Sequence, residues 1–269
     1  MTSVTSKDGT SIAYDRSGSG PTVILVGGGL DDGSENAPLA AWLARHFTVY
    51  NYARRGRGQS GDTLPYAVER EFEDIEALAA EAGGPAHLFG ASSGGGLVLE
   101  AAAAGVPVDR LAVYDVPYCV ADGLWQRAKE YVERLGPVLA AGRRDEALEL
   151  FMWLAGSSAE DIAGARSSPY WPAMVAVAHT LAYDAACMGD YRPPTDRLAA
   201  VARPTLVVNG GRSADSQAGM GDLPADFFDR AADAIAASVP GAVRGTVEGQ
   251  GHVADPASLG PVLTRFFTD

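Results

Sequence analysis

Two periodicities alternate along this chain. PTVILVGG, FTVYNY, AHLFG, DRLAVYDVP and RPTLVVNGG are short apolar runs rich in β-branched and aromatic residues, each closed by glycine, proline or a polar cluster. Runs of that length and make-up predict strands buried on both faces. Between them lie segments whose apolar residues recur three and four apart: APLAAWLARHF, YAVEREFEDIEALAAEAG, GGLVLEAAAAG, PADFFDRAADAIAASVP and PASLGPVLTRFFTD. These predict helices. AVRGTVEG adds a last strand, and SKDGTSIAYDRSG, with a DG turn between short alternating runs, predicts a hairpin at the start.

Alternating strands and helices predict an α/β fold, a mostly parallel central sheet with helices on both faces. Residues 119–196 break the alternation, since they are helical in pattern and contain no strand-like run. They read as a helical cap inserted over the strand ends, leaving 1–118 and 197–269 as the core. Long insertions at strand ends carry function. No internal repeat or low-complexity segment is present.

Composition narrows the possibilities. The 269 residues are 47% hydrophobic, ample for a core, and the net charge is −13. Such a surface repels phosphate backbones and anionic bilayers, so neither nucleic acid nor a membrane is expected as a partner. The two cysteines, Cys119 and Cys187, form no CxxC pair, and neither a disulfide framework nor a metal site is expected. The first residues lack the apolar segment of a secretory signal, and no apolar run reaches the roughly 18 residues that a membrane span needs. The expectation is a cytoplasmic protein, monomer or homodimer.

The chemistry is concentrated in AHLFGASSGGGLVLE. Gly90-Ala91-Ser92-Ser93-Gly94 fits G-x-S-x-G between a predicted strand and a predicted helix. A serine at the apex of so tight a turn sits in a strained backbone conformation and needs small neighbours on either side. The turn lifts the Ser92 hydroxyl above the sheet and aims a helix N-terminus, with the Ser93 N–H, at whatever Ser92 attacks. A phosphate loop would require a GK[ST] ending, which is missing. The segment reads as a nucleophile elbow.

An elbow serine requires a base. Of the four histidines, His46, His87 and His179 fall in or beside predicted elements, whereas His252 lies in EGQGHVADP, after the last strand and among small residues. His252 is the candidate base. A second oxyanion donor is expected from VGGGLDDGS, the loop after the first buried strand, with Gly29 the candidate and Leu30 the alternative.

Taken together, VILVGGGL, ARRGRGQSGD, FGASSGG, the cap, PTLVVNGG and EGQGHVAD resemble the α/β-hydrolase superfamily, in particular small actinobacterial-type hydrolases with a helical cap, over nearly the whole chain. Two positions depart from that pattern: Gly27 stands where the oxyanion loop usually carries histidine, and Ala53 stands where an aspartate is usual. The resemblance implies a serine–histidine–acid triad and no cofactor. In most of the superfamily the acid follows the strand after the cap. Counting there reaches Ser213, with Asp215 two residues on. A minority, pancreatic-type lipases among them, resembles the alternative, an acid after the preceding strand, which is Asp115 in LAVYDVP. The rigid strand end favours Asp115, and Asp215 remains the rival.

The cap is rich in large rings, and Trp125, Trp153, Trp171 and Tyr183 are candidates for an apolar substrate pocket, although rings at helical spacing also serve a cap's own core. The expected activity is that of a serine esterase acting on an ester, lactone or thioester of a small apolar substrate. The alternative is a hydrolase-like small-molecule binding protein, or a cyclase or lyase on the same fold. A serine at the elbow argues against the epoxide hydrolase and dehalogenase branches, which use aspartate there.

Overall fold

The computed structural model describes residues 2–211 and 222–269. Eight strands, β1 (Thr2–Thr5), β2 (Ser11–Gly18), β3 (Thr22–Val26), β4 (Thr48–Tyr52), β5 (Ala86–Ala91), β6 (Val108–Tyr114), β7 (Thr205–Gly211) and β8 (Val243–Glu248), form one sheet in the order β1-β2-β4-β3-β5-β6-β7-β8. The opening hairpin β1–β2 pairs antiparallel with itself and with β4, and every other pairing is parallel.

Successive residues of a strand point to opposite faces, and the core divides accordingly. Val23, Leu25, Phe89, Ala112, Leu206 and Val208 pack on one face with α1 (Ala37–Leu43) and the terminal helix. Ile24, Val26, Leu88, Leu111, Val113 and Val207 pack on the other with α2 (Val68–Glu81) and α3 (Ser93–Ala103). Between β6 and β7 the chain is helical: α4 (Asp122–Ala140), α5 (Arg144–Leu154), α6 (Ala159–Arg166), α7 (Trp171–Val177), α8 (Leu181–Met188) and α9 (Thr195–Leu198). Tyr131, Leu135, Leu148 and Leu181 of this insertion belong to the same cluster as the α2–α3 face, so the insertion extends the main core. The chain closes with α10 (Phe227–Ser238) and α11 (Pro256–Thr268) on either side of β8. Among the described residues no helix is long and apolar enough to cross a membrane.

ARRGRG follows β4, and the sequence reading treats it as a glycine-rich loop. In the structure Arg54, Arg55 and Arg57 are almost wholly buried. A guanidinium stays charged, so each must be matched inside. Arg54 forks onto Glu71 of α2 through Nε and Nη2, both at 2.6 Å, and its Nη1 donates to Asp184 of α8 at 2.6 Å. Arg57 donates to the other Asp184 oxygen at 2.7 Å and to Thr180 Oγ1 at 3.0 Å. Arg55 forks onto Asp74 at 2.9 and 2.7 Å and reaches Asp8 at 2.9 Å. Glu71 and Asp74 lie on one side of α2 by their i, i+3 spacing, and Asp184 ties the insertion to the β4 loop.

These charges set one another's protonation. Burial alone would push the Glu71 carboxyl up, but Arg54 overrides it and holds Glu71 below the ordinary carboxylate range. Asp184 is likewise pushed up by burial and held down by Arg57 and then Arg54. At Asp74 burial prevails over the Arg55 bond and the carboxyl lies above its ordinary value.

Two expectations follow. A Cβ on Gly94 would collide with the carbonyl oxygens of Val26 and Gly27, backbone atoms that cannot step aside, whereas one on Gly164 in α6 meets nothing. In urea denaturation Gly94→Ala should cost about 1–3 kcal/mol or more, and Gly164→Ala should gain about 0.5–1 kcal/mol. The second concerns pH. Because the folded state depresses the Glu71 carboxyl, its contribution is complete above the unfolded value of about 4.3 and is lost as pH falls through the lower folded value. Glu71→Gln should cost about 3–5 kcal/mol at neutral pH, and its urea midpoint should fall less steeply than the wild type's below about pH 4. Parallel pH profiles for the two proteins would contradict this role.

Candidate active site

Ser92 stands between β5 and α3 with φ +55° and ψ −129°, a left-handed conformation that a side chain rarely adopts and that costs about 1–3 kcal/mol. The strain is pinned from both sides. The Ser92 N–H donates to the Tyr114 carbonyl at 2.9 Å, and its own carbonyl accepts from the Gly95 N–H at 2.9 Å. The small neighbours are required: a Cβ on Gly90 would strike the Gly94 backbone, as one on Gly94 would strike the end of β3. The first turn of α3 begins at Ser93, so the positive end of its dipole lies beside the serine.

Asp115 follows β6 with φ +47° and is buried. Its N–H donates to the Val208 carbonyl at 3.1 Å, and its Oδ1 accepts from the Gly210 N–H at 3.0 Å. The other oxygen, Oδ2, lies 3.2 Å from His252 Nδ1. With a carboxylate as acceptor, Nδ1 carries the proton and Nε2 is left free to act as a base. The loop bearing His252 is itself anchored, since the Tyr114 hydroxyl donates to the Gly251 carbonyl at 2.5 Å and the Gly249 N–H to the Gly211 carbonyl at 2.6 Å. The His252 ring stacks on Phe228 with centroids 5.0 Å apart. The rival acid, Asp215, lies outside the described residues.

The loop after β3 presses against the elbow. A Cβ on Gly28 would sit 2.9 Å from Ser92 Cβ, and one on Gly29 would meet Phe151 at 3.2 Å and Asp184 Oδ2 at 3.5 Å. Arg57 Nη1 donates to the Gly28 carbonyl at 2.5 Å. In a trans peptide the carbonyl and the following N–H point opposite ways, so the Gly29 N–H is turned away from Arg57. Leu30, the alternative donor, is held at φ +65°. On the far side of Ser92, the Ser93 hydroxyl donates to Asp184 Oδ1 at 2.8 Å. Asp184 therefore bonds Arg54, Arg57 and Ser93 and lies beside the Gly29 position, a role that sequence reasoning missed. The only signal was indirect: three arginines in one tight turn need carboxylates from somewhere.

Ser92, Ser93, Gly28, Gly29 and His252 line one cavity of about 280 Å³. Its remaining wall is largely apolar, with Leu124, Phe151, Leu154, Met188, Phe227 and Phe228. The four rings expected there are elsewhere. Trp171 is buried in the insertion with Nε1 donating to Asp145 at 3.0 Å. Tyr183 stacks on Tyr66 at 3.9 Å and donates to Asp62 at 2.7 Å. Trp125 packs under Arg192, whose Cζ is 4.2 Å from the ring centroid, and Trp153 packs under Arg127 at 4.9 Å. Helical spacing identifies an apolar face but not its neighbour, and the polar tips of Trp171 and Tyr183 lie where Asp145 and Asp62 accept from them. Among the described residues no group of three or more His, Cys, Asp or Glu could hold a metal ion.

Comparison with known proteins agrees with this architecture. Residues 23–259 match the model of the alpha/beta hydrolase family. An alpha/beta hydrolase from Sphaerobacter thermophilus is 47% identical, with a TM-score of 0.86 over 99% of this chain and 100% of that one. The enol-lactonase from Burkholderia xenovorans has the same fold at 20% identity, with a TM-score of 0.66 over 100% of both chains. An uncharacterized hydrolase, YraK, of Bacillus subtilis is 39% identical over 90 residues, so the match spans 32% of this chain and 33% of that protein. The chain belongs to the alpha/beta hydrolase family.

Proposed function

We propose that this hydrolase is a serine enzyme that cleaves an ester, lactone or thioester of a small organic substrate through an acyl-enzyme. The observation that carries the reading is the Asp115–His252 pair, with His252 on the wall of the same cavity as a strained serine at a helix N-terminus. In this mechanism Ser92 Oγ attacks the carbonyl carbon while His252 Nε2 takes its proton. Asp115 holds the ring and stabilises the imidazolium. The Ser93 and Gly29 N–H groups receive the oxyanion. The imidazolium then protonates the leaving group, and water, deprotonated by His252, releases the acid.

The backbone around the oxyanion supports this assignment. The Arg57 bond to the Gly28 carbonyl fixes the orientation of the peptide that ends in the Gly29 N–H. Donors held in place before the reaction stabilise charge without reorganising. The helical insertion acts as a cap, contributing Leu124, Phe151, Leu154 and Met188 to an apolar chamber that favours a carbon-rich substrate.

Ser92→Ala should retain the fold and lower turnover of p-nitrophenyl acetate by on the order of 10³ or more. A fluorophosphonate probe should label Ser92 in the wild type and fail to label this variant. Near-wild-type turnover by Ser92→Ala would remove the serine mechanism, and an unlabelled wild type would favour a non-hydrolytic or binding role. Asp115→Asn should cost roughly 10⁴ in kcat, with an unchanged circular dichroism spectrum. If Asp215→Asn collapses kcat and Asp115→Asn does not, the acid has been assigned to the wrong strand.

A further inference from the structure

The cavity over Ser92 is mostly apolar, yet one side chain on its wall carries a charge that is barely matched. Arg127, on α4, lines the cavity with Leu124 of the same helix. Its Nε is shut off from solvent and has no hydrogen-bond acceptor. Its ionic partner among the described residues is Asp222, 3.9 Å away with a side chain 65% exposed, too distant to hydrogen-bond and screened by water. Arg54, Arg55 and Arg57 provide the contrast, for each of them meets a carboxylate at 2.6–2.9 Å.

A guanidinium cannot escape this position by losing its proton. It is also held in place, with Cζ 4.9 Å from the centroid of Trp153. The other charged groups of the wall do not neutralise it. Asp184 is committed to Arg54 and Arg57, and Glu35, whose carboxyl burial pushes up, is acted on by Asp31 and His252. The wall therefore offers an ordered, under-matched cation within an apolar chamber. Such a site favours an anion over a neutral group of the same shape.

We propose that Arg127 is an anion subsite, and that the substrate carries a carboxylate in addition to the bond that is cleaved. The substrate class is then the half-ester, lactone or thioester of a small diacid. This rests on the serine-hydrolase reading for the bond broken, but the subsite can be tested separately by binding.

The test compares p-nitrophenyl valerate with the p-nitrophenyl half-ester of glutaric acid, which replaces the terminal methyl with a carboxylate. The wild type should favour the half-ester in kcat/KM by about tenfold or more, and Arg127→Met should lower the half-ester-to-valerate ratio by about 10- to 100-fold. A ratio that Arg127→Met leaves unchanged overturns the subsite while the hydrolase reading stands. If Arg127→Met fails to fold, Arg127→Lys, which keeps the charge but loses the fork, should lower the ratio in part, and an unchanged ratio overturns the proposal. If neither ester is turned over, the hydrolase reading fails and calorimetry with glutarate decides the subsite. Binding by the wild type that is lost in Arg127→Met sustains it, and no binding by the wild type overturns it.

Discussion

The structure depends on matching three guanidinium charges that have no access to water. An isolated ion transferred to a protein interior costs several kcal/mol, so Arg54, Arg55 and Arg57 can be buried only where carboxylates meet them. That requirement places Glu71 and Asp74 on the inner side of α2 and draws Asp184 of α8 down onto the loop after β4. The same contacts reach the segments around Ser92, through Arg57 to the Gly28 carbonyl and through Asp184 to the Ser93 hydroxyl. Packing gives the insertion most of its contact with the core, but the ionic ties fix its register over Ser92. Replacing one partner would loosen the insertion and the Gly28–Gly29 loop together.

The fold was legible in the sequence because strand and helix differ in period and the chain keeps the two apart. PTVILVGG and RPTLVVNGG carry no polar residue in their central positions, and only a strand covered on both faces tolerates that over so few residues. The elbow was legible for a different reason. A turn that tight dictates its own composition, and Gly90 and Gly94 are forced by backbone atoms that a Cβ would strike. His252 stood out because histidines are few and one alone followed the last strand.

What could not be read depends on partners distant in sequence. Nothing local marks ARRGRG as buried, since a polar, glycine-rich segment ordinarily lies at the surface. Its burial is decided by Glu71, Asp74 and Asp184, which belong to other elements. The pocket rings failed similarly. Trp171 and Tyr183 have apolar bodies and polar tips, and the tips found Asp145 and Asp62 away from the cavity. The cavity wall was built instead from residues such as Phe227 and Phe228, whose side chains make no polar demand. The acid was ambiguous because two strand ends offered an aspartate. The structure brings Asp115 to His252 through strained backbone at the end of β6.

The separation of these groups along the chain has a consequence for how the protein can change. Ser92 and Asp115 end neighbouring strands that are joined through α3, whereas Asp115 and His252 are 137 residues apart. Loop-closure entropy grows only logarithmically, so the longer span adds on the order of 1–2 kcal/mol over the shorter one. The relative positions of the three side chains are therefore set by the hydrogen-bond register of β5, β6, β7 and β8 and hardly at all by the length of chain between them. Between β6 and β7 the chain can grow or shrink, and reshape the chamber, wherever Asp184 keeps its place on Arg54 and Arg57, while Ser92, Asp115 and His252 keep their spacing.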